Sequence, residues 1–174
     1  MRKLLLGLGL AALLATPTGA ALPNGAKAPD FSTNGALAGK PFKIHLAEQL
    51  RRGPVVLYFF PKAFTKGCTL EARAFSEASK DFKKAGATVI GMSADDLPTL
   101  TKFSVEECRN SFPVARASVA TQKAYDVAWA EHPGITTRTS YVIDRRGRIV
   151  MVHDDLDWSQ HVAKTLAAVK ALKR

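Results

Sequence analysis

The chain has 174 residues, 47% hydrophobic and 23% charged, with 25 Lys and Arg against 15 Asp and Glu. That composition belongs to a globular protein able to bury one substantial core, and it excludes a disordered or membrane-embedded chain. The net charge of +10 is scattered along the sequence, so it reads as dispersed solvated charge and not as a nucleic-acid-binding surface.

Met1-Arg2-Lys3 is a short basic start, Leu4 to Ala15 an apolar run, and Thr16 to Ala21 a small-residue segment suited to cleavage after Ala20 or Ala21. This is the pattern of a secretory signal peptide over residues 1–20. The apolar run is shorter than the ~20 residues that span a bilayer. The expectation is a single domain over 21–174, periplasmic or secreted, with no membrane attachment after cleavage.

Leu22 to Lys40 is rich in Gly, Ala, Pro and Asn and reads as an extended lead-in, followed by a helical turn or short helix within Ile44 to Arg52. Val55 to Phe60 is a run of six apolar residues bounded by Gly53-Pro54 and Pro61, the signature of a fully buried strand. Pro61 lacks an N–H and ends the ladder. Cys68, Ala72, Phe75, Ala78, Phe82 and Ala85 then recur every three or four positions, predicting one helix to about Lys84. Gly86 fits its C-cap, and Thr88 to Met92 a second buried strand. Ser93 or Asp95 can cap a helix over Leu97 to Asn110. Phe112 to Ala115 is a short extended piece and Ala120 to Tyr125 a short helix. Ser140 to Ile143 and Ile149 to Val152 form a hairpin around Asp144 to Arg148. Asp157 or Ser159 caps a last helix with a stripe of Val162, Leu166, Val169 and Leu172. The predicted fold is α/β, a mixed central sheet flanked by helices in the thioredoxin-like arrangement.

Cys68 stands in the first turn of its helix, where unpaired backbone N–H groups and the positive end of the dipole favour thiolate over thiol. The thiolate is the nucleophile, so this is the candidate reactive residue. The only other cysteine is Cys108. Its distance along the chain excludes Cys-x-x-Cys, leaving a structural disulfide, a catalytic pair, or a reactive thiol beside a buried bystander.

Pro61-x-x-x-Thr65-x-x-Cys68 resembles the active-site motif of the peroxiredoxins, and the run from Tyr58 to Glu71 is most similar to the Q type, the bacterioferritin-comigratory proteins of the alkyl hydroperoxide reductase/thiol-specific antioxidant superfamily. Arg138-Thr139-Ser140-Tyr141-Val142-Ile143-Asp144 resembles the strand that carries the family's catalytic arginine. The resemblance implies a thiol peroxidase without cofactor or metal. Cys68 would attack a hydroperoxide and become a sulfenic acid. Arg138 would place a fixed positive charge at the sulfur. The Thr65 hydroxyl would meet the peroxide, and could also cap the helix. Pro61 would shape the loop, and Glu71 could orient Arg138. Many Q-type enzymes carry a resolving cysteine five residues after the reactive one; here that position is Arg73. Cys108, on the following helix beside Leu97 and Leu100, is then either the resolving cysteine or a buried core residue. The implied partners are a hydroperoxide substrate and a thioredoxin-like or other thiol reductant, acting on a monomer or weak homodimer.

Other features point to no second chemistry. His45, His132, His153 and His161 lack metal-ligand spacing and read as surface or loop residues. Asp154, Asp155 and Asp157 read as a solvated loop at a helix N-terminus, and Trp129 and Trp158 as packing residues. Rival functions are a thioredoxin-like thiol-disulfide oxidoreductase, which the absence of Cys-x-x-Cys disfavours, and a redox sensor that does not turn over.

Overall fold

The computed structural model describes residues 21–172; the expected signal peptide lies outside them. The strand predicted from Val55 is β3 (Val55–Phe59), the centre of a seven-stranded mixed sheet. With β1 (Ser32–Leu37), β2 (Lys40–His45), β4 (Thr88–Ser93), β5 (Val114–Arg116), β6 (Thr139–Ile143) and β7 (Ile149–Asp154), the order is β2-β1-β5-β4-β3-β6-β7. β3, β4 and β5 are parallel neighbours, and the other pairings are antiparallel. This is the thioredoxin-like α/β arrangement expected from the order of elements.

Every residue from Val55 to Phe60 is completely buried, and alternation along β3 divides them between two cores. Val56, Tyr58 and Phe60 face one, with residues of α2 (Lys66–Glu77), α3 (Ser79–Lys84), α4 (Leu97–Glu106) and α6 (His161–Ala171). Val55, Leu57 and Phe59 face the other, with Leu46 and Leu50 of α1 (Leu46–Arg52) and with Tyr125, which follows α5 (Val119–Ala124). Each such large side chain contributes about 1.5–3 kcal/mol by leaving water, so a shift in the register of β3 would be costly on both faces.

Four local readings are corrected. The lead-in to Lys40 contains β1, which pairs with β2 across a two-residue turn at Ala38 (φ 51°) and Gly39 (φ 75°). Two positive φ values make the tight hairpin turn usually written with Asn or Gly first, and Ala38 conceals it. The helix after Cys68 is two helices, broken at Ala78 (φ −80°, ψ −2°), so that Phe75 and Phe82 both stay buried with ring centroids 5.9 Å apart. The cap of α4 is Asp96, whose side chain accepts from the Thr99 N–H. That helix stops at Glu106, because Arg109 (φ 49°) and Asn110 (φ 60°) adopt left-handed backbone. In α6 the fully buried residues are His161, Thr165 and Val169, and Val162 and Leu166 of the predicted stripe pack partly buried against the same core, whereas Leu172 is exposed; a 3-10 turn (Trp158–Gln160) precedes the helix.

Candidate active site

The register of two central strands builds the site. β3 and β6 run antiparallel with Phe59 opposite Thr139. Arg138 therefore stands level with the point where the chain leaves β3 and turns into the loop to α2. The Thr136 hydroxyl fixes that exit by donating to the Phe60 carbonyl at 2.9 Å. Asp95 braces the next turn: its carboxylate accepts from the Ala63 N–H at 2.8 Å and the Ser93 hydroxyl at 2.7 Å. The reading of Asp95 as a helix cap is replaced by this role.

Cys68 lies in the first turn of α2 and is 1% exposed. The Nη2 of Arg138 is 3.5 Å from its Sγ. The guanidinium is held from two further sides. Its Nη1 forms a tight charge-assisted bond to Glu71 Oε2, and its Nε donates to the Leu156 carbonyl at 2.9 Å. Burial works against the Arg138 charge, but Glu71 and Cys68 outweigh it and hold the guanidinium cationic.

The glycine before the cysteine leaves room for this close approach. A Cβ on Gly67 would stand 3.0 Å from Arg138 Nη2 and 3.9 Å from the Trp158 ring. The missing side chain of Gly67 makes room for Arg138.

Thr65 occupies the N-cap position of α2, yet its side chain makes no capping bond. Its hydroxyl donates to the Lys62 carbonyl at 2.9 Å, within the loop that begins at the half-buried Pro61. Phe64 takes φ 64°, a strained conformation for an aromatic residue. Its ring lies edge-on to Phe103 at 5.2 Å, with Lys102 Nζ 5.6 Å from the ring centroid.

Glu71 is wholly buried, and burial, opposed by Arg138, pushes its carboxyl up to about 8. Its Oε1 lies 3.6 Å from His161 Nδ1. The reading of His161 as a surface or loop residue is wrong: it is completely buried. A period of four running back from Val169 through Thr165 reaches His161. His153 is half-buried, its ring centroid 4.5 Å from that of His161.

Cys108 is completely buried, but it follows α4 rather than lying on it, in the turn where its N–H donates to the Phe103 carbonyl at 3.1 Å. Cys68 and Cys108 belong to the same apolar core and are both free thiols. Burial, then the charge of Glu107, pushes the Cys108 thiol far up. Arg73, at the position where many Q-type enzymes place a resolver, bonds through Nε to Glu107 Oε2 at 2.7 Å. Among the described residues, no group of three or more His, Cys, Asp or Glu is placed to hold a metal ion, and no helix is long and apolar enough to cross a membrane.

The model of the AhpC/TSA family matches residues 24–152, a span holding the loop, Cys68, Cys108 and Arg138. The chain belongs to the AhpC/TSA peroxiredoxin family. It is therefore a peroxiredoxin-type thiol peroxidase, an enzyme that consumes a peroxide at the expense of a thiol. This peroxiredoxin is 32% identical over 132 residues to a putative peroxiredoxin of Mycobacterium tuberculosis, covering 74% of this chain and 85% of the relative. It is 32% identical over 121 residues to the chloroplastic peroxiredoxin Q of Populus jackii, covering 68% of this chain and 56% of the relative. Among solved structures, it superposes on peroxidoxin BcpB of Mycobacterium tuberculosis with a TM-score of 0.78 and 28% identity, over 87% of this chain and 98% of that one. Peroxiredoxin Q of Xanthomonas campestris gives 0.70 and 26% identity, over 81% and 91%.

Proposed function

We propose that Cys68 is the peroxidatic cysteine of this enzyme, that it reduces hydrogen peroxide and organic hydroperoxides, and that Cys108 resolves it. The observation that carries the reading is the Arg138 guanidinium 3.5 Å from the Cys68 sulfur, in a pocket almost closed to water. A fixed cation in such surroundings stabilises a thiolate more than it would in solvent. It can also hold the peroxide oxygen that departs with the electron pair.

In the first step the Cys68 thiolate attacks the terminal peroxide oxygen and the O–O bond breaks. With one proton taken up, the products are Cys68 sulfenic acid and water or an alcohol. The Thr65 hydroxyl, which now donates to Lys62, stands at the loop edge where it can turn to the incoming peroxide. Pro61 leaves no N–H there to compete. In the second step the Cys108 sulfur attacks the sulfenic sulfur, a disulfide forms and water leaves. A dithiol reductant of the thioredoxin type then returns both thiols. Cys108 is buried and held protonated, so its attack follows an opening of the turn after α4. The apolar start over residues 1–20 supports export, to a periplasm or medium where disulfides persist. We further propose a monomer or weak homodimer.

The test is turnover of the purified protein with hydrogen peroxide and either thioredoxin or a small thiol. Cys68→Ser should abolish peroxide consumption. Cys108→Ser should abolish consumption with thioredoxin while preserving the first turnover. Unchanged consumption by Cys68→Ser would overturn the reading.

A further inference from the structure

The positive charge that is scattered along the sequence is gathered in space. β3 starts at Val55, level with Thr88 at the start of β4 and with Ile143 at the end of β6. The segments that enter and leave these strand ends therefore share one end of the sheet, opposite the end where Cys68 and Arg138 meet. Two of them touch backbone to backbone: a Cβ on Gly53 would stand 2.1 Å from the Gly86 carbonyl oxygen.

To this end α1 brings Arg51 and Arg52, α3 brings Lys83 and Lys84, and α6 brings Lys170, all exposed. The turn from β6 to β7 adds Arg145 and Arg146, also exposed, and Arg145 Nη2 donates to the Arg51 carbonyl at 3.0 Å. Neighbouring acids do not balance this charge. Asp144 turns its Oδ1 back to the N–H groups of Arg146 and Arg148, both at 2.9 Å. Glu48 reaches Arg51 only at 3.8 Å, and Asp81 is the acid of α3. A cation in the last turn of a helix complements the helix dipole, which accounts for those on α1, α3 and α6 taken singly. It does not account for Arg145 and Arg146 on a hairpin turn, nor for three helix ends gathered beside it. The active-site end has the other sign: Asp96 follows β4, and Asp154, Asp155 and Asp157 lie where β7 ends, against Lys62, Lys66 and Arg116.

Between the basic segments lies a cleft of about 430 Å³, lined by Arg52, Arg145 and Arg146 and, on its apolar side, by Val169 and Leu172. Leu172 is 39% exposed, an apolar side chain set among cations.

We propose that this basic end docks the enzyme on the surface of an anionic lipid bilayer. Arg52, Arg145 and Arg146 take headgroup phosphates, whose geometry a guanidinium fork matches. Leu172 enters the boundary between headgroups and acyl chains. The acidic loops around Cys68 are repelled by the same surface, so the cysteine faces solvent and its peroxide. The contact is peripheral, because no helix among the described residues is long and apolar enough to cross a membrane. It revises the expectation of no membrane attachment, which was drawn from charge read along the chain. A nucleic acid would engage the cations but leave Leu172 unused.

The experiment is co-sedimentation of residues 21–174, which hold the whole sheet and both cores, with vesicles of phosphatidylglycerol and phosphatidylethanolamine or of phosphatidylcholine alone. The protein should sediment with the anionic vesicles at about 0.05 M salt and be released at about 1 M, where screening shortens the reach of the charges to ~3 Å. Arg145→Ala with Arg146→Ala should weaken binding about thirtyfold, each cation near the surface being worth about fivefold. Removing the same charge from the other end, by Lys62→Ala with Arg116→Ala, should change it less than about twofold, since those groups lie beyond the screening length. Leu172→Ser should weaken it about fivefold with no change of charge, the worth of burying part of one leucine. Equal binding to phosphatidylcholine, or equal losses in the two double variants, overturns the proposal. Leu172→Ser bound as tightly as the parent assigns this end to a soluble polyanion and overturns the bilayer as its occupant. Arg145 and Arg146 stand at the end of the sheet away from Cys68, so their double variant should keep the parent rate of Cys68 oxidation. A failure here is therefore distinct from a failure of the peroxidase reading, which Cys68→Ser tests.

Discussion

Arg138 and Cys68 are 70 residues apart in sequence and 3.5 Å apart in space. They meet because the register of β6 on β3 ends level with the loop that leads into α2. The guanidinium is fixed by Glu71 and by the Leu156 carbonyl, so it does not need to be gathered in when peroxide arrives. Arg138→Lys should therefore cost more than a change of one cation for another. Lysine is a single point charge and cannot span Cys68, Glu71 and Leu156 together. The second-order rate of Cys68 oxidation, followed by stopped-flow fluorescence, should fall by about a hundredfold, as expected for losing one preorganised donor at a developing charge.

Gly67→Ala separates stability from activity. Alanine favours a helix over glycine by about 1 kcal/mol, and Gly67 is the second residue of α2. Its Cβ would stand 3.0 Å from Arg138 Nη2, so the guanidinium must retreat from the sulfur. The variant should unfold at equal or higher urea than the wild type and oxidise about tenfold more slowly, the effect of losing ~1.4 kcal/mol in the transition state.

The buried acid and base give stability a distinctive pH dependence. Glu71 moves up from 4.5 to about 8 on folding, so its contribution is complete below 4.5 and is lost as pH rises toward 8. His161 moves down from 6.5 to about 4, so its contribution is present above 6.5 and is lost as pH falls toward 4. Between 4.5 and 6.5 the two slopes oppose and cancel. Stability from this pair should be flat there and decline on the alkaline side up to about 8. Urea midpoints measured across that range should show the decline, and Glu71→Gln should remove it.

The turn that carries Cys108 is fastened to α2 by Arg73 to Glu107, and by the hydroxyls of Ser76 and Ser111 at 2.8 Å. Arg73→Ala frees one fastening and leaves the buried Glu107 without its cation. If Cys108 resolves the sulfenic acid by leaving the core, disulfide formation after a peroxide pulse should quicken about fivefold, the effect of losing ~1 kcal/mol from an ion pair whose arginine is largely exposed. Quenching by alkylation and counting free thiols measures it.

Much of the site was legible in sequence because it depends on local pattern. A buried strand, a proline stop and a helix starting at Cys68 follow from periodicity and turn chemistry, and they fix where the thiol sits. Arg138 was legible only through resemblance, since nothing local tells a solvated arginine from one placed by strand register. His161 was misread because a histidine in a helix carries no mark of burial; its place on the inward face is seen only with α6 packed on the sheet. Gly67 was visible, but the reason for it required knowing what stands opposite. The β1–β2 hairpin escaped because β1 is small and polar and its turn begins with Ala38.

The claim on which the account depends is that peroxide oxygen is delivered to Cys68. The direct measurement is peptide mass spectrometry of the Cys108→Ser protein after one equivalent of hydrogen peroxide in the presence of a sulfenic-acid trap. The account predicts the trapped adduct on the peptide carrying Cys68, formed far more slowly in Arg138→Lys. Peroxide consumed with Cys68 left as the free thiol would contradict it.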